Sequence, residues 1–253
     1  MTNNCFINCS DNSNVIENYH DEGFRFLEEE EYEEALEQFN KLIEITQNNL
    51  EGNLDAWYHK GEALSYLEKN EDSLSCFEFI LKNRPSDRDA LYMDALYMKG
   101  YVLGDLGKHD EAVKVYNKLL EIDPKDSDAL VNKADELIQL NKFDESLKVS
   151  DIALELNTSD IEALINKGIA LLNLTRRKEA LDVFNNALQY NPKDEEAWYM
   201  KARCLSLLNK QSEALDALLV ATSIFPEYKE EIKDEIDFTN IKELERFKEL
   251  SKI

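Results

Sequence analysis

Residues 93–126 read MDALYMKGYVLGDLGKHDEAVKVYNKLLEIDPKD, and residues 161–194 read IEALINKGIALLNLTRRKEALDVFNNALQYNPKD. Laid over one another, the two stretches share a small residue at the eighth place (Gly100, Gly168), an alanine at the twentieth (Ala112, Ala180) and a glutamate just before it (Glu111, Glu179). They also share a proline at the thirty-second place (Pro124, Pro192). A fixed period in this range marks a repeat architecture, in which each unit buries its apolar face against the next.

The same register takes in the segments that begin at Ile16, Leu54, Ser127 and Glu195. The eighth place holds Gly23, Gly61, Ala134 and Ala202, the twentieth Ala35, Ser73, Ser146 and Ala214, and the remaining prolines, Pro85 and Pro226, fall again at the thirty-second. At ~100° per residue the fourth, eighth and eleventh places share one helix face, so Trp57, Leu96, Leu130 and Leu164 join the small residues there. A small residue at the eighth place lets a second helix approach closely, and the small residue at the twentieth is its reciprocal contact. Each unit is therefore a helical hairpin turned by a polar linker such as 107–110 and ended by proline, which cannot donate the next backbone bond.

This pattern resembles the tetratricopeptide repeat. Runs such as Ala197-Trp198-Tyr199-Met200-Lys201 and Ala56-Trp57-Tyr58-His59-Lys60-Gly61 look most like prokaryotic, especially archaeal, arrays. The resemblance implies an all-α, right-handed superhelical solenoid of six hairpins: 16–49, 54–87, 93–126, 127–160, 161–194 and 195–228. Residues 1–15, rich in Asn and Ser, read as a disordered leader. A solenoid exposes the apolar face of its last unit, so 229–253, with Ile232, Ile236, Ile241, Leu244, Phe247 and Leu250, reads as capping helices.

Departures from the pattern carry expectations too. The twenty-seventh place holds Leu42, Ile80 and Leu119 in the first three units and Ala153, Ala187 and Ala221 in the last three, which predicts different inter-repeat packing in the two halves. Gln47 and Thr158 replace proline and are expected to let their helices run on. Residues 89–93 and 94–98 both read Asp-Ala-Leu-Tyr-Met; five residues rotate a helix face by ~140°, so only the second copy keeps register and the first should project as an extra turn at one edge.

The chain has 253 residues, 53 acids against 29 bases and a net charge of −24, which disfavours nucleic acid and anionic membranes as partners. Residues 16–92 hold 20 acids and 7 bases, so the first part is the one expected to steer cationic partners. Cys5, Cys9, Cys76 and Cys204 form neither a disulfide framework nor a metal knuckle, and no basic segment leads into an apolar stretch; a reduced, cytoplasmic chain is expected.

There is no glycine-rich phosphate loop, nucleophile elbow or zinc-binding histidine pair on one helix, so the reading is a non-enzymatic chain without cofactor or metal. His20 and His59, near Asp21 and Glu62, are conceivable as a weak metal site and read better as surface histidines on an acidic groove. The resemblance implies that the second, fifth, ninth, twelfth and thirteenth places line a concave wall. They give a partner-binding groove of Tyr58, Glu62, Tyr66, Tyr97, Tyr101, Asp105, Asp135, Ile165, Ile169 and Tyr199. Tyrosines with polar tips are common hot spots, so the expected partner is a protein or peptide segment, basic or amphipathic, centred on the tyrosines. The second place is acidic in all six units, as Glu17, Asp55, Asp94, Asp128, Glu162 and Glu196; an anionic rail and simple stabilisation of each helix N-terminus both account for it. The lysine, asparagine and arginine set of the family's carboxylate clamp for chaperone C-termini is absent. Alternative readings are a homo-oligomerising adaptor built on the edge around Tyr92 and Met93, and a ligand- or metal-dependent regulatory module.

Overall fold

A computed structural model describes residues 9–47, 50–83 and 89–252. All the regular elements there are helices, and they divide into two compact units at Pro124. Unit 1 holds α1 (Cys9–Glu28), α2 (Tyr32–Thr46), α3 (Leu50–Tyr66), α4 (Asn70–Asn83), α5 (Ala90–Asp105) and α6 (His109–Ile122). Unit 2 holds α7 (Ser127–Gln139), α8 (Phe143–Leu156), α9 (Ile161–Asn173), α10 (Arg177–Tyr190), α11 (Glu195–Leu207) and α12 (Gln211–Ile224). It ends in α13 (Tyr228–Asp234), a 3-10 turn (Ile236–Phe238) and α14 (Glu245–Leu250). Each helix from α1 to α6 and from α7 to α13 packs on the next, α14 packs back on α12, and α3 lies against α5, α7 against α9 and α9 against α11.

The hairpins are closed as the register predicts. Every residue at the twentieth place is fully buried, and where it is serine it also bonds across the hairpin: Ser73 Oγ donates to the Gly61 carbonyl at 2.7 Å and Ser146 Oγ to the Ala134 carbonyl at 2.8 Å. The eighth and twenty-fourth places trade volume. A Cβ added to Gly23, Gly61, Gly100 or Gly168 would meet the ring of Phe39, Phe77, Tyr116 or Phe184 at 2.8 Å or less. In the two repeats with alanine there, Ala134 and Ala202, the facing place holds the non-aromatic Ser150 and Leu218. The turn inside each hairpin needs a left-handed residue at the fifteenth place. Only the third repeat supplies glycine, Gly107, and the others force Glu30, Glu68, Asn141, Thr175 and Asn209 to φ of 57–61°. First helices from the third repeat on start on an aspartate: the Asp126, Asp160 and Asp194 side chains accept from the amides of Ala129, Ala163 and Ala197 at 2.9 Å.

Residues 9–15 of the expected leader already belong to α1, since no proline or glycine interrupts them and propagation adds a hydrogen bond per residue; residues 1–8 lie outside the described ones, as does Pro85. Thr158 does not let α8 run on. The helix ends at Leu156 in the register of its proline-bearing neighbours, because the Asn157 side chain accepts from the Ser159 amide and hydroxyl and closes a local turn. At Gln47 the expectation holds by one residue: α2 runs to Thr46, one place further than the other second helices, and Gln47 keeps right-handed helical angles; residues 48 and 49 lie outside the described ones.

The first Asp-Ala-Leu-Tyr-Met copy does lengthen α5, with Asp89 capping the Leu91 amide at 3.1 Å, yet it does not project. Tyr92 is 5% exposed, and the Lys118 ammonium of α6 both donates to its hydroxyl and sits 5.1 Å from its ring centre. Of the two residues invoked for the self-association edge, Tyr92 is thus packed inward and Met93 is partly buried. In the C-terminal cap Ile232, Phe238, Ile241 and Phe247 are buried against Leu205, Leu215 and Leu218, whereas Ile236, counted on for the cap, is 78% exposed. No helix among the described residues is long and apolar enough to cross a membrane.

Candidate functional site

The inner wall of unit 1 is carried by α1, α3 and α5, and begins with an aromatic and ionic clasp. Phe24 lies between two imidazoles, 4.6 Å from the His20 ring and 4.3 Å from that of His59. Both histidines reach Asp55, His20 Nε2 at 3.4 Å and His59 Nε2 at 3.7 Å, and His59 Nδ1 meets Glu62 Oε2 at 2.5 Å. The clasp ties the first helices of repeats one and two. No group of three or more possible ligands converges for a metal among the described residues. Glu62 is spent within the clasp.

The tyrosines separate into two kinds. Tyr58 is half-buried, edge-on to Phe77 at 5.7 Å, and burial pushes its phenol well up. Tyr97 is half-buried too, edge-on to Tyr116 at 6.3 Å. Tyr66 and Tyr101 are 63% and 45% exposed, and Tyr66 stacks on Tyr32 at 4.6 Å. The nearby Asp105 charge, then burial, then Tyr66 raise the Tyr101 phenol, and partial desolvation raises the Asp105 carboxyl.

Unit 2 has a different inner wall. Between α7, α9 and α11 lies a cleft of about 280 Å³ lined by Val131, Ile165 and Ile169, by Asn132 and Asn166, and by the carboxylates of Asp135, Glu162 and Glu196. Asn166 Nδ2 donates to the Val131 carbonyl at 3.1 Å, which fixes α9 against α7 and holds the floor. Ile165 is only 6% exposed and is mostly core, packed with Leu188 and Ala197. Desolvation first, and then Asp194, Asp135, Glu195 and Glu162, push the Glu196 carboxyl up, so its negative charge is costly and uncompensated. Of these residues Asp135, Ile165 and Ile169 were expected in the groove, Glu162 and Glu196 were expected only as members of the second-place acid series, and Asn132 and Asn166 were not expected. The second-place acids were visible as a series; asparagine recurring at the sixth place of adjacent repeats was the other available signal.

Tyr199 is not a groove residue. The cap lies over it: Tyr228 stacks on its ring at 4.5 Å and 16°, Phe238 meets it edge-on at 5.9 Å, and burial pushes its phenol up to about 12. Arg203 beside it is held by Asp237 and Glu235, its Nε 3.0 Å from Asp237 Oδ2. The seventh-place lysines are structural as well. Lys60 and Lys201 lie over Trp57 and Trp198 at 4.7 and 4.5 Å, while Lys99 and Lys167 reach back to Glu78 and Asp151 of the preceding repeat.

Two stretches, 94–126 and 171–234, match the family description "Tetratricopeptide repeat". No curated protein matches the chain in sequence. Among solved structures it is similar to a tetratricopeptide repeat protein from Parabacteroides merdae ATCC 43184, with 17% identity, a TM-score of 0.68, and 94% of this chain and 98% of that one covered. It is also similar to YrrB, described as a TPR protein with an unusual peptide-binding site, at 23% identity and a TM-score of 0.57, over 75% of this chain and 93% of that one. MamA from Desulfovibrio magneticus RS-1 aligns at 15% identity with a TM-score of 0.61, over 72% and 97% of the two chains. With the hairpin register running from α1 to α12 and the family matched in both units, the chain carries tetratricopeptide repeats in each of them.

Proposed function

We propose that this protein is a non-enzymatic scaffold that holds a segment of a partner protein, apolar with basic side chains, on its inner helix faces. Tetratricopeptide repeats serve protein–protein interaction, and one similar structure is described as having a peptide-binding site. The observation that carries the reading is the cleft of unit 2: three carboxylates from three successive first helices stand around the apolar side chains of Val131, Ile165 and Ile169. An apolar side chain fills such a floor, and a lysine or arginine beside it relieves the repulsion that raises Glu196. A partner tail ending in acids would add to that repulsion.

Calorimetric titration of the full chain with blocked peptides of alternating leucine and lysine, against a leucine and glutamate series, tests this. The basic peptides should bind, and Glu162→Gln with Glu196→Gln should weaken them by on the order of tenfold, ~1.4 kcal/mol. Equal binding of the basic and acidic series, or no effect of the double change, overturns the reading.

A further inference from the structure

Unit 1 presents Tyr66 and Tyr101 outward from α3 and α5, two first helices that pack side by side. One face of Tyr66 is taken by Tyr32, almost coplanar at 13°, which holds the ring in place while most of it stays in solvent. Asp105 stands one turn beyond Tyr101 on the same face of α5, and it makes no ion pair among the described residues. Other carboxylates of this wall are engaged: Glu62 with His59, Asp55 with both histidines. Here, then, are two exposed aromatic rings beside one carboxylate without a cation.

We infer that Tyr66, Tyr101 and Asp105 form a subsite for an arginine side chain of the bound partner. A guanidinium is planar and weakly hydrated. It lies flat on a tyrosine face by cation–π attraction while its fork of N–H groups donates to a carboxylate, a combination that a compact, strongly hydrated ammonium serves less well. The Tyr66 ring is already ordered by Tyr32, so little of its rotamer freedom is lost on binding. The upward shift of the Asp105 carboxyl agrees with a group that gains from a cation. The subsite rests on the peptide-binding reading above and adds to it a position in unit 1 that selects arginine.

The test uses the full chain and three blocked peptides of alternating leucine with arginine, with lysine or with citrulline, the last keeping the shape of arginine without its charge. Calorimetry should find the arginine peptide at least tenfold tighter than the citrulline peptide and about threefold tighter than the lysine peptide. Tyr66→Ala with Tyr101→Ala should cost at least tenfold for arginine and remove the arginine-over-lysine preference, with the circular dichroism unchanged. Should that double variant fail to fold, Tyr66→Leu with Tyr101→Leu and, separately, Asp105→Asn decide. These keep apolar area or shape, and normal binding by both overturns the subsite. A loss seen in the Glu162→Gln, Glu196→Gln variant and in none of the unit 1 variants overturns the subsite and leaves the scaffold reading standing; a loss in neither set overturns both.

Discussion

The two units share a repeat and fill it differently. In unit 1 each hairpin sets a glycine against an aromatic ring and places Leu42, Ile80 or Leu119 at the twenty-seventh place; in unit 2 Ala153, Ala187 and Ala221 stand there, and only Gly168 faces a ring. All six of these residues are buried. The same helical hairpin can thus be packed by large-into-small or by small-against-small contacts, provided the summed volume is kept. The inner walls differ in step. Unit 1 exposes tyrosine rings and spends His20, His59 and two acids on a clasp, while unit 2 leaves a cleft with an amide-fixed floor and costly carboxylates.

The comparison is broken most forcefully at the cap, which unit 1 lacks among the described residues. Phe238 is fully buried between Tyr199 and Phe247. Replacing it with alanine should cost about 3–5 kcal/mol. Hydrogen exchange should then rise through α11, α12 and α14 while α1 to α6 keep their protection. Uniform loss of protection across both units would show that they unfold as one.

Volume exchange is tested by Gly168→Ala. Alanine gains helix propensity of roughly 1 kcal/mol, yet its Cβ would lie 2.5 Å from the buried Phe184 ring. The overpacking should win and leave a net loss of about 1–3 kcal/mol in denaturant unfolding. Adding Phe184→Leu, which copies the Ala202 and Leu218 pair of the sixth repeat, should recover part of it. Additive losses in the double variant would refute the exchange.

The inter-helix turns give a smaller effect of opposite sign. Thr175 is β-branched and held at φ 60°, whereas Gly107 meets the same demand without strain. Thr175→Gly should therefore stabilise unit 2 by about 1 kcal/mol, a rise in Tm of ~2–4 °C for a chain of this size. An unchanged or lower Tm would mean that the threonine side chain compensates its backbone.

The smallest change concerns the cleft. Glu196 has a carboxyl raised above its unfolded value, so its ionised form costs stability at neutral pH, and that cost vanishes as pH falls through the raised value. Glu196→Gln should be slightly more stable than the parent at pH 7, by less than about 0.5 kcal/mol, and the two should converge in acid. A glutamine variant less stable at pH 7 would show that the carboxylate is satisfied in the free protein.

The hairpin register, the close approach at the eighth and twentieth places, the contrast at the twenty-seventh and the need for a cap were all legible in the sequence. They are enforced by volume and helical period, which a one-dimensional pattern records directly. The second-place acids were legible as a series without their division of labour: Asp55 joins a clasp while Glu162 and Glu196 line a cleft. What tertiary structure alone decided is exposure. Tyr58, Tyr66, Tyr97, Tyr101 and Tyr199 stand on the inner side of the same register, yet a neighbouring ring from a second helix half-buries Tyr58 and Tyr97, and the cap covers Tyr199. Ile236 reads as cap and faces solvent because the 3-10 turn sends Phe238 inward in its stead. Helical period tells which side a residue takes; what stands on that side depends on elements distant in sequence, and burial is a property of that meeting.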